Sequence, residues 1–275
     1  MINYFNKKII FIQNKNKIAL FFFIAIQSIL EPLKPNSVCL HLKMFFIGLT
    51  GNIGTGKSTV SKYLSKQNIP VIDSDQIARD VVKPYTKCWH AIREHFGEEA
   101  INVTDGQINR NYLAQIIFNN PDERRILNKI THPEIQKQTF IKTLYYWLTF
   151  HTFVVFDIPL LFEAKIYQPL MNYIIVVKCD ESEQIRRIKA RNGYNDEEAS
   201  SRIGSQMSLN EKCKLANFVI DNNGTIEQTL HQVEEIFHQM KRPPTFYVLR
   251  LLLITLYGLT LFSLIKLSKF IYSKL

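Results

Sequence analysis

The sequence predicts an α/β fold: a five-stranded parallel sheet of order 2-3-1-4-5, covered by helices. Three observations predict it. Short, continuously apolar runs recur between residues 44 and 221 and alternate with helical patterns, as expected of strands buried on both faces. A glycine-rich loop joins the first run to the first helix. Acidic residues close later runs, at the sheet edge where such folds gather their ligands.

Met44 to Thr50 is apolar and reads as the first strand, with a helix starting after Gly56 in which Val60 and Leu64 stand four apart. Ile69-Pro70-Val71-Ile72 reads as a short second strand running into Asp73-Ser74-Asp75. A helix begins with Ile77 and is stopped by Pro84. Residues 88–149 form a helical block without a strand pattern, broken at Gly97, Gly106, Pro121 and Pro133, and long enough to build a second wall to a site. Phe153-Val154-Val155-Phe156-Asp157, Tyr173 to Val177, and Phe218-Val219-Ile220-Asp221 supply the remaining strands. Asn222-Asn223-Gly224 is a turn, and Thr225 caps a last helix with Glu227 and Gln228 in its first turn, ending near Met240.

Charge separates the ends from this core. The net charge of +10 comprises +5 in residues 1–43 and +6 in residues 241–275, leaving the middle at −1. The basic balance therefore gives no argument for nucleic-acid binding. Residues 1–43 read as an extension outside the fold: a basic front and a short apolar core suit a disordered, cleaved or untranslated leader, with a mitochondrial presequence among the readings and Met44 as an alternative start. After Pro243-Pro244, residues 245–266 read as a hydrophobic helix. Leu251 to Ile265 is an uncharged stretch of fifteen, Arg250 can snorkel, and residues 267–275 form a basic tail. An amphipathic helix lying in the interface is the competing reading. The expectation is an intracellular, membrane-associated protein with its folded domain facing cytosol or matrix. Cys39, Cys88, Cys179 and Cys213 lack metal-ligand or disulfide spacing and read as reduced thiols.

Gly51-Asn52-Ile53-Gly54-Thr55-Gly56-Lys57-Ser58, followed by Thr59, fits the phosphate-binding loop G-x-x-x-x-G-K-[ST] between a strand and a helix. Main-chain N–H groups can close on a polyphosphate only where side chains are missing, and the helix directs its positive end at the same anion. Lys57 brings a mobile charge to the outer phosphates and Ser58 a hydroxyl to Mg²⁺, so ATP and Mg²⁺ are the expected cofactors. No N-K-x-D base-reading loop and no ATPase switch residues are evident, which leaves a small-molecule kinase.

Such a kinase needs a carboxylate at the acceptor, an arginine-bearing lid and an acceptor pocket. Asp73 and Asp75, two apart on an extended stretch, would face one ligand. Asp75 is then the residue that orients or deprotonates the acceptor hydroxyl, and Asp73 supports Mg²⁺. One of the pair could instead only cap the next helix. Arg187 and Arg191 share a helix face over Gln184 to Gly193 and would neutralise the phosphoryl group in transit, within a lid region of residues 187–207. A solvated basic face is the plainer reading of that run. Asp157 can contact Mg²⁺ through water, or hydrogen-bond Ser58 or Thr59.

In order and spacing, residues 44–240 resemble the dephospho-CoA kinase family. The resemblance is carried by the phosphate loop, Ile72-Asp73-Ser74-Asp75 with Ala78-Arg79, Ile108-Asn109-Arg110, Thr131-His132-Pro133-Glu134-Ile135, Asp157-Ile158-Pro159-Leu160-Leu161-Phe162-Glu163, Arg187 with Arg191, and Asp221-Asn222-Asn223-Gly224. An apolar C-terminal tail resembles the animal domain-containing branch. The resemblance implies phosphorylation of the ribose 3′-hydroxyl of dephospho-CoA by ATP. It also implies Asp75 as base, Arg191 with Arg187 as lid arginines, and Arg110, His132 and Pro133 in the acceptor pocket. Asn52 stands where the family usually has glycine, and Lys83-Pro84-Tyr85 lacks the usual glycine after proline. The rival readings are another nucleoside or nucleotide kinase, and a membrane-tethered nucleotide binder without turnover.

Overall fold

A computed structural model describes residues 44–164 and 167–240, together with positions 251, 252, 255, 258, 259, 263 and 266. Five strands, β1 (Phe45–Thr50), β2 (Val71–Asp73), β3 (Phe153–Asp157), β4 (Tyr173–Lys178) and β5 (Phe218–Asp221), pair in parallel in the order β2-β3-β1-β4-β5. This is the sheet the sequence predicts. Its carboxyl ends come level: Asp73 is in register with Asp157, and Lys178 with Asp221.

Alternate strand residues build two cores. Phe46, Ile72, Val154, Phe156, Ile174 and Val176 face one side; Ile47, Leu49, Val155, Ile175, Val177 and Ile220 face the other. This follows from the period of two along a strand, and both faces are apolar because both are covered. On the second side lie α1 (Lys57–Lys66), through Val60 and Leu64, and α10 (Ile226–Gln239), through Val233, Ile236 and Phe237. Leu64 is fully buried, so Leu64→Ala would cost about 2–5 kcal/mol. The capping box of Thr225 and Gln228 starts α10 as the sequence indicates.

The first side carries α2 (Ser74–Asp80), the end of an inserted helical block, and α9 (Leu209–Leu215). The block contains α3 (Lys87–Phe96), a 3-10 turn at Glu98–Ala100, α4 (Arg110–Asn119) and α5 (Pro121–Leu148). It has a core of its own, Trp89, Ile92, Phe96, Ala100, Ile108 and Leu113. The remaining helices are α6 (Leu161–Ala164), α7 (Glu181–Asn192) and α8 (Asp196–Gly204).

Several local expectations are corrected. Pro133 does not break the block but lies inside the 28-residue α5. A proline removes one hydrogen bond from a helix, and here neighbouring turns carry α5 past it. Pro121 starts that helix instead, behind the cap of Asn120. An isolated antiparallel bridge joins Ile101 to Ile108 within a block read as strand-free. α2 ends at Asp80, four residues before Pro84. Tyr85, where a glycine is usual, keeps the glycine's backbone: its φ is 66°, a left-handed conformation costing an L-residue roughly 1–2 kcal/mol.

The leader at 1–43 lies outside the described residues, as does most of the hydrophobic helix at 245–266 and the tail at 267–275. Among the described residues no helix is long and apolar enough to cross a membrane.

Candidate active site

The phosphate loop leaves β1 at Thr50 and enters α1 at Lys57. Gly56 is the N-cap of α1, with φ 90°. A Cβ there would stand 2.0 Å from Asn222 Nδ2, and one on Gly54 2.8 Å from the Gln184 carbonyl. Both positions therefore need glycine on two grounds, backbone and space. Thr55 fixes the bend, giving its N–H and its hydroxyl to the Asn52 carbonyl at 3.2 and 2.9 Å. The N–H groups of Gly54, Gly56, Lys57 and Ser58 donate to no protein acceptor among the described residues. Unpaired amides at a helix start, in a cradle that a Cβ would fill, suit a polyphosphate. Ser58 and Thr59 are exposed on the first turn.

Lys57 is ion-paired with Asp157, their side chains 15% and 5% exposed. In place of the alternative hydrogen bond from Ser58 or Thr59, Asp157 is met by Lys57 and the Ser61 side chain. Burial raises the Asp157 carboxyl above its ordinary range; Lys57 opposes the shift, and Asp73, its register neighbour, adds to it.

Asp73 and Asp75 are not side by side on an extended stretch. Asp73 ends β2 and caps α2, accepting the Gln76 N–H at 2.9 Å, while Asp75 is exposed in the first helical turn. The helix starts at Ser74, three residues earlier than the sequence suggests, because Asp73 is a good cap. The capping role falls on Asp73, and Asp75 is left free at the sheet edge. Among the described residues no three His, Cys, Asp or Glu side chains group as a metal site. Ser58 with a nearby carboxylate is nevertheless a sufficient protein share for Mg²⁺, which keeps waters and phosphate oxygens as its other ligands.

The two lid arginines part company. Arg187 is half-buried and reaches the loop: its Nη2 donates to the Asn222 carbonyl at 3.0 Å, its Nη1 to the Gly54 carbonyl at 3.5 Å, and its Nε to Glu183 at 2.7 Å. Glu183, gripped by Arg186 and Arg187, is held down to about 2. Arg191 is exposed and, among the described residues, bonded only to Asn192 Oδ1, at 2.8 Å. The front of α7 therefore belongs to the loop's wall, with Gln184 and Ile188 buried against Gly54. Gly193 closes α7 in a left-handed conformation.

In the inserted block, Arg110 is exposed at the start of α4 behind the Asn109 cap. His132 lies on α5 beside Pro133, open to solvent but flanked by enough protein that burial lowers its pKa and favours the neutral ring. Among the described residues none of the three makes a hydrogen bond or ion pair with the phosphate loop.

Other contacts complete the site beyond those the sequence reading assigned. Asn222 is buried; its Nδ2 donates to the Thr55 carbonyl at 2.7 Å, and its Oδ1 accepts the Thr229 hydroxyl at 2.8 Å. Gln206 Oε1 accepts the Ile53 N–H at 2.9 Å, and Asn52 Nδ2 donates to the Met207 carbonyl at 3.1 Å. Lys212, fully buried, pairs with Glu163 at 2.7 Å. The Cys179 thiol, pushed up to about 11 by burial, packs under Gly54 as an inert neighbour. The turn signal at Asn222 is real, but only its place after the last strand could have marked it for the site.

The family described as dephospho-CoA kinase matches residues 45–228. A dephospho-CoA kinase domain-containing protein from Danio rerio is 42% identical over 207 residues, covering 75% of this chain and 90% of the relative. Dephospho-CoA kinase from Lactobacillus acidophilus is 41% identical over 198 residues, covering 72% of this chain and 98% of the relative. Among solved structures, one from Thermus thermophilus superposes with a TM-score of 0.62 at 30% identity, covering 72% of this chain and 99% of its own. The Campylobacter jejuni dephospho-CoA kinase gives 0.53 at 26% identity, covering 71% of this chain and 96% of its own.

Proposed function

This chain belongs to the dephospho-CoA kinase family, and we propose that it transfers the γ-phosphoryl group of ATP to the ribose 3′-hydroxyl of dephospho-CoA, giving coenzyme A. The observation that carries this reading is the arrangement of the carboxyl edge. A loop of unpaired amides follows β1, β3 stands beside it, and Asp75 stands free beyond β3 at the head of α2. Nucleotide phosphates and acceptor hydroxyl are thereby assigned to neighbouring positions along one edge.

The loop amides and Lys57 hold the β- and γ-phosphates. Lys57 would leave Asp157 to do so, and Ser58 with the freed Asp157 carboxylate would hold Mg²⁺, which would offset the phosphate charge. Asp73 contributes the helix cap and the local field rather than a ligand. Asp75 orients the acceptor hydroxyl and takes its proton as the bond to phosphorus forms. Arg187 braces the loop, and Arg191, with no competing acid among the described residues, is the guanidinium available to the transferring group. Arg110, His132 and Pro133 line the acceptor side, where a neutral His132 offers a hydrogen bond without adding charge. Purified full-length protein should release ADP with dephospho-CoA and Mg²⁺ and not with AMP or uridine; the reverse preference would replace this substrate with another nucleoside or nucleotide.

We also propose that residues 245–266 anchor the kinase to an intracellular membrane, with the catalytic domain on the cytosolic or matrix side. The sequence supports this with the fifteen uncharged residues from Leu251 to Ile265. Leu251, Leu252 and Leu259 are helical and exposed. The hydroxyls of Thr255 and Ser263 donate back to the Leu252 and Leu259 carbonyls at 2.8 Å, which suits an apolar solvent. Carbonate extraction should leave the full chain in the membrane pellet and release a chain ending at residue 240; release of both would remove the anchor.

A further inference from the structure

The kinase reading accounts for the loop, the acid and the arginines, but not for Gln206. This residue follows α8 and lies at the phosphate loop, where its Oε1 accepts the Ile53 N–H at 2.9 Å. The bond fixes the orientation of the amide. An N–H donor can face only the oxygen, so Nε2 is the outward end, and among the described residues it has no protein partner.

The backbone beside Gln206 is pinned from two directions. Asn52 Nδ2 donates to the Met207 carbonyl at 3.1 Å, and the Met207 N–H donates to Glu163 Oε1 at 3.1 Å. Glu163 is in turn held by the fully buried Lys212, whose Nζ also reaches the Pro159 carbonyl at 3.5 Å. Asn52 belongs to the loop after β1; Pro159 and Glu163 belong to the segment after β3. Gln206 is thus fixed over the gap between β1 and β3. In the order β2-β3-β1, a phosphoryl group passing from the loop to an acceptor beside Asp75 crosses that gap.

We propose that Gln206 is a catalytic residue: the Ile53 N–H holds its carbonyl, and its Nε2 donates a hydrogen bond to the phosphoryl group in transit. The bond that breaks joins the γ-phosphorus to the β–γ bridging oxygen, which leaves with the electron pair on ADP. The bond that forms joins the phosphorus to the acceptor oxygen, whose proton goes to Asp75. Gln206 neither gains nor loses a proton. A fixed donor aimed at developing charge needs no reorganisation when the charge appears, and Asn52, in place of a glycine, adds a second tether holding it there.

Gln206→Glu tests this, because a carboxylate oxygen still accepts the Ile53 N–H while the donor becomes a second, negative oxygen. A residue that merely fastened the segment would tolerate the change. In the full-length protein we expect kcat to fall by about 100-fold or more, with an unchanged thermal midpoint and unchanged affinity for ADP. Affinity for a non-hydrolysable ATP analogue should fall about tenfold, since only the third phosphate meets the new charge. Gln206→Met, of similar length and without a donor, should lose kcat equally and serves if the glutamate variant does not fold. Turnover within about threefold of wild type in either variant, or equal weakening of ADP and the ATP analogue, overturns the proposal. The binding comparison needs no acceptor, so a mistaken acceptor assignment would leave it standing.

Discussion

Lys57 and Asp157 neutralise each other across the carboxyl ends of β1 and β3, at the mouth of the phosphate loop. The side chain proposed to serve the outer phosphates is thus occupied by an acid whose own ionisation burial opposes. In the proposed reaction the pair would exchange: phosphates would replace the carboxylate around Lys57, and water or Mg²⁺ the ammonium around Asp157.

Lys57→Met strands the Asp157 carboxyl in a buried position. A carboxyl with a raised folded pKa contributes stability at low pH, and that contribution is lost as pH rises through the folded value. The variant should therefore be destabilised by about 2–4 kcal/mol at pH 8 and by clearly less at pH 5, as measured by urea unfolding at the two values. An equal loss at both would show that the Asp157 charge is not the cause.

Asp73 and Asp75 should separate into a structural and a catalytic residue. Asp73→Ala removes the cap that accepts the Gln76 N–H and should cost about 1 kcal/mol of stability; Asp73→Ser, another capping residue, should restore most of it. Asp75→Asn should leave the thermal midpoint and ATP affinity unchanged while lowering kcat by about 10²–10⁴. Full turnover by the Asp75 variant would remove it from the chemistry.

The edge that carries the chemistry was legible before any coordinates. Continuous apolar runs marked all five strands, and their parallel direction followed from the helices between them. The position of Asp75 could not be read this way, because a strand end and a helix start look alike when the capping acid is itself one of two candidates. Gln206 drew no notice in the sequence, and Asn222 was read only as part of a turn and of a family motif, for another reason. Their roles come from contacts spanning 153 and 167 residues of sequence, and no local periodicity encodes such contacts. Tyr85 shows the converse: the missing glycine was plain in the sequence, but only the backbone shows that tyrosine keeps the left-handed turn.

That turn gives a prediction of its own. Tyr85 packs its ring against Trp89, tilted at 43° with centroids 5.4 Å apart, so both Tyr85→Ala and Tyr85→Gly lose the ring contact. Only glycine relieves the positive φ, and the glycine variant should be more stable than the alanine variant by about 1 kcal/mol in thermal unfolding. Equal stability would mean that the backbone relaxes there at no cost.

The two arginines should also divide. Arg187→Ala removes a bridge between α7, Gly54 and Asn222 and should lower both the thermal midpoint and ATP affinity. Arg191→Ala touches no such bridge, and should lower kcat by about 10²-fold or more with stability unchanged. Loss of stability in the second variant and not the first would invert the assignment.

The account's central claim is tested most directly by identifying the product that the full-length protein makes from ATP, Mg²⁺ and dephospho-CoA. Phosphorus NMR of the purified product should show one new phosphomonoester, on the ribose 3′-oxygen, formed in step with ADP. A phosphorus resonance at any other position, or ADP release with dephospho-CoA recovered unchanged, would contradict it.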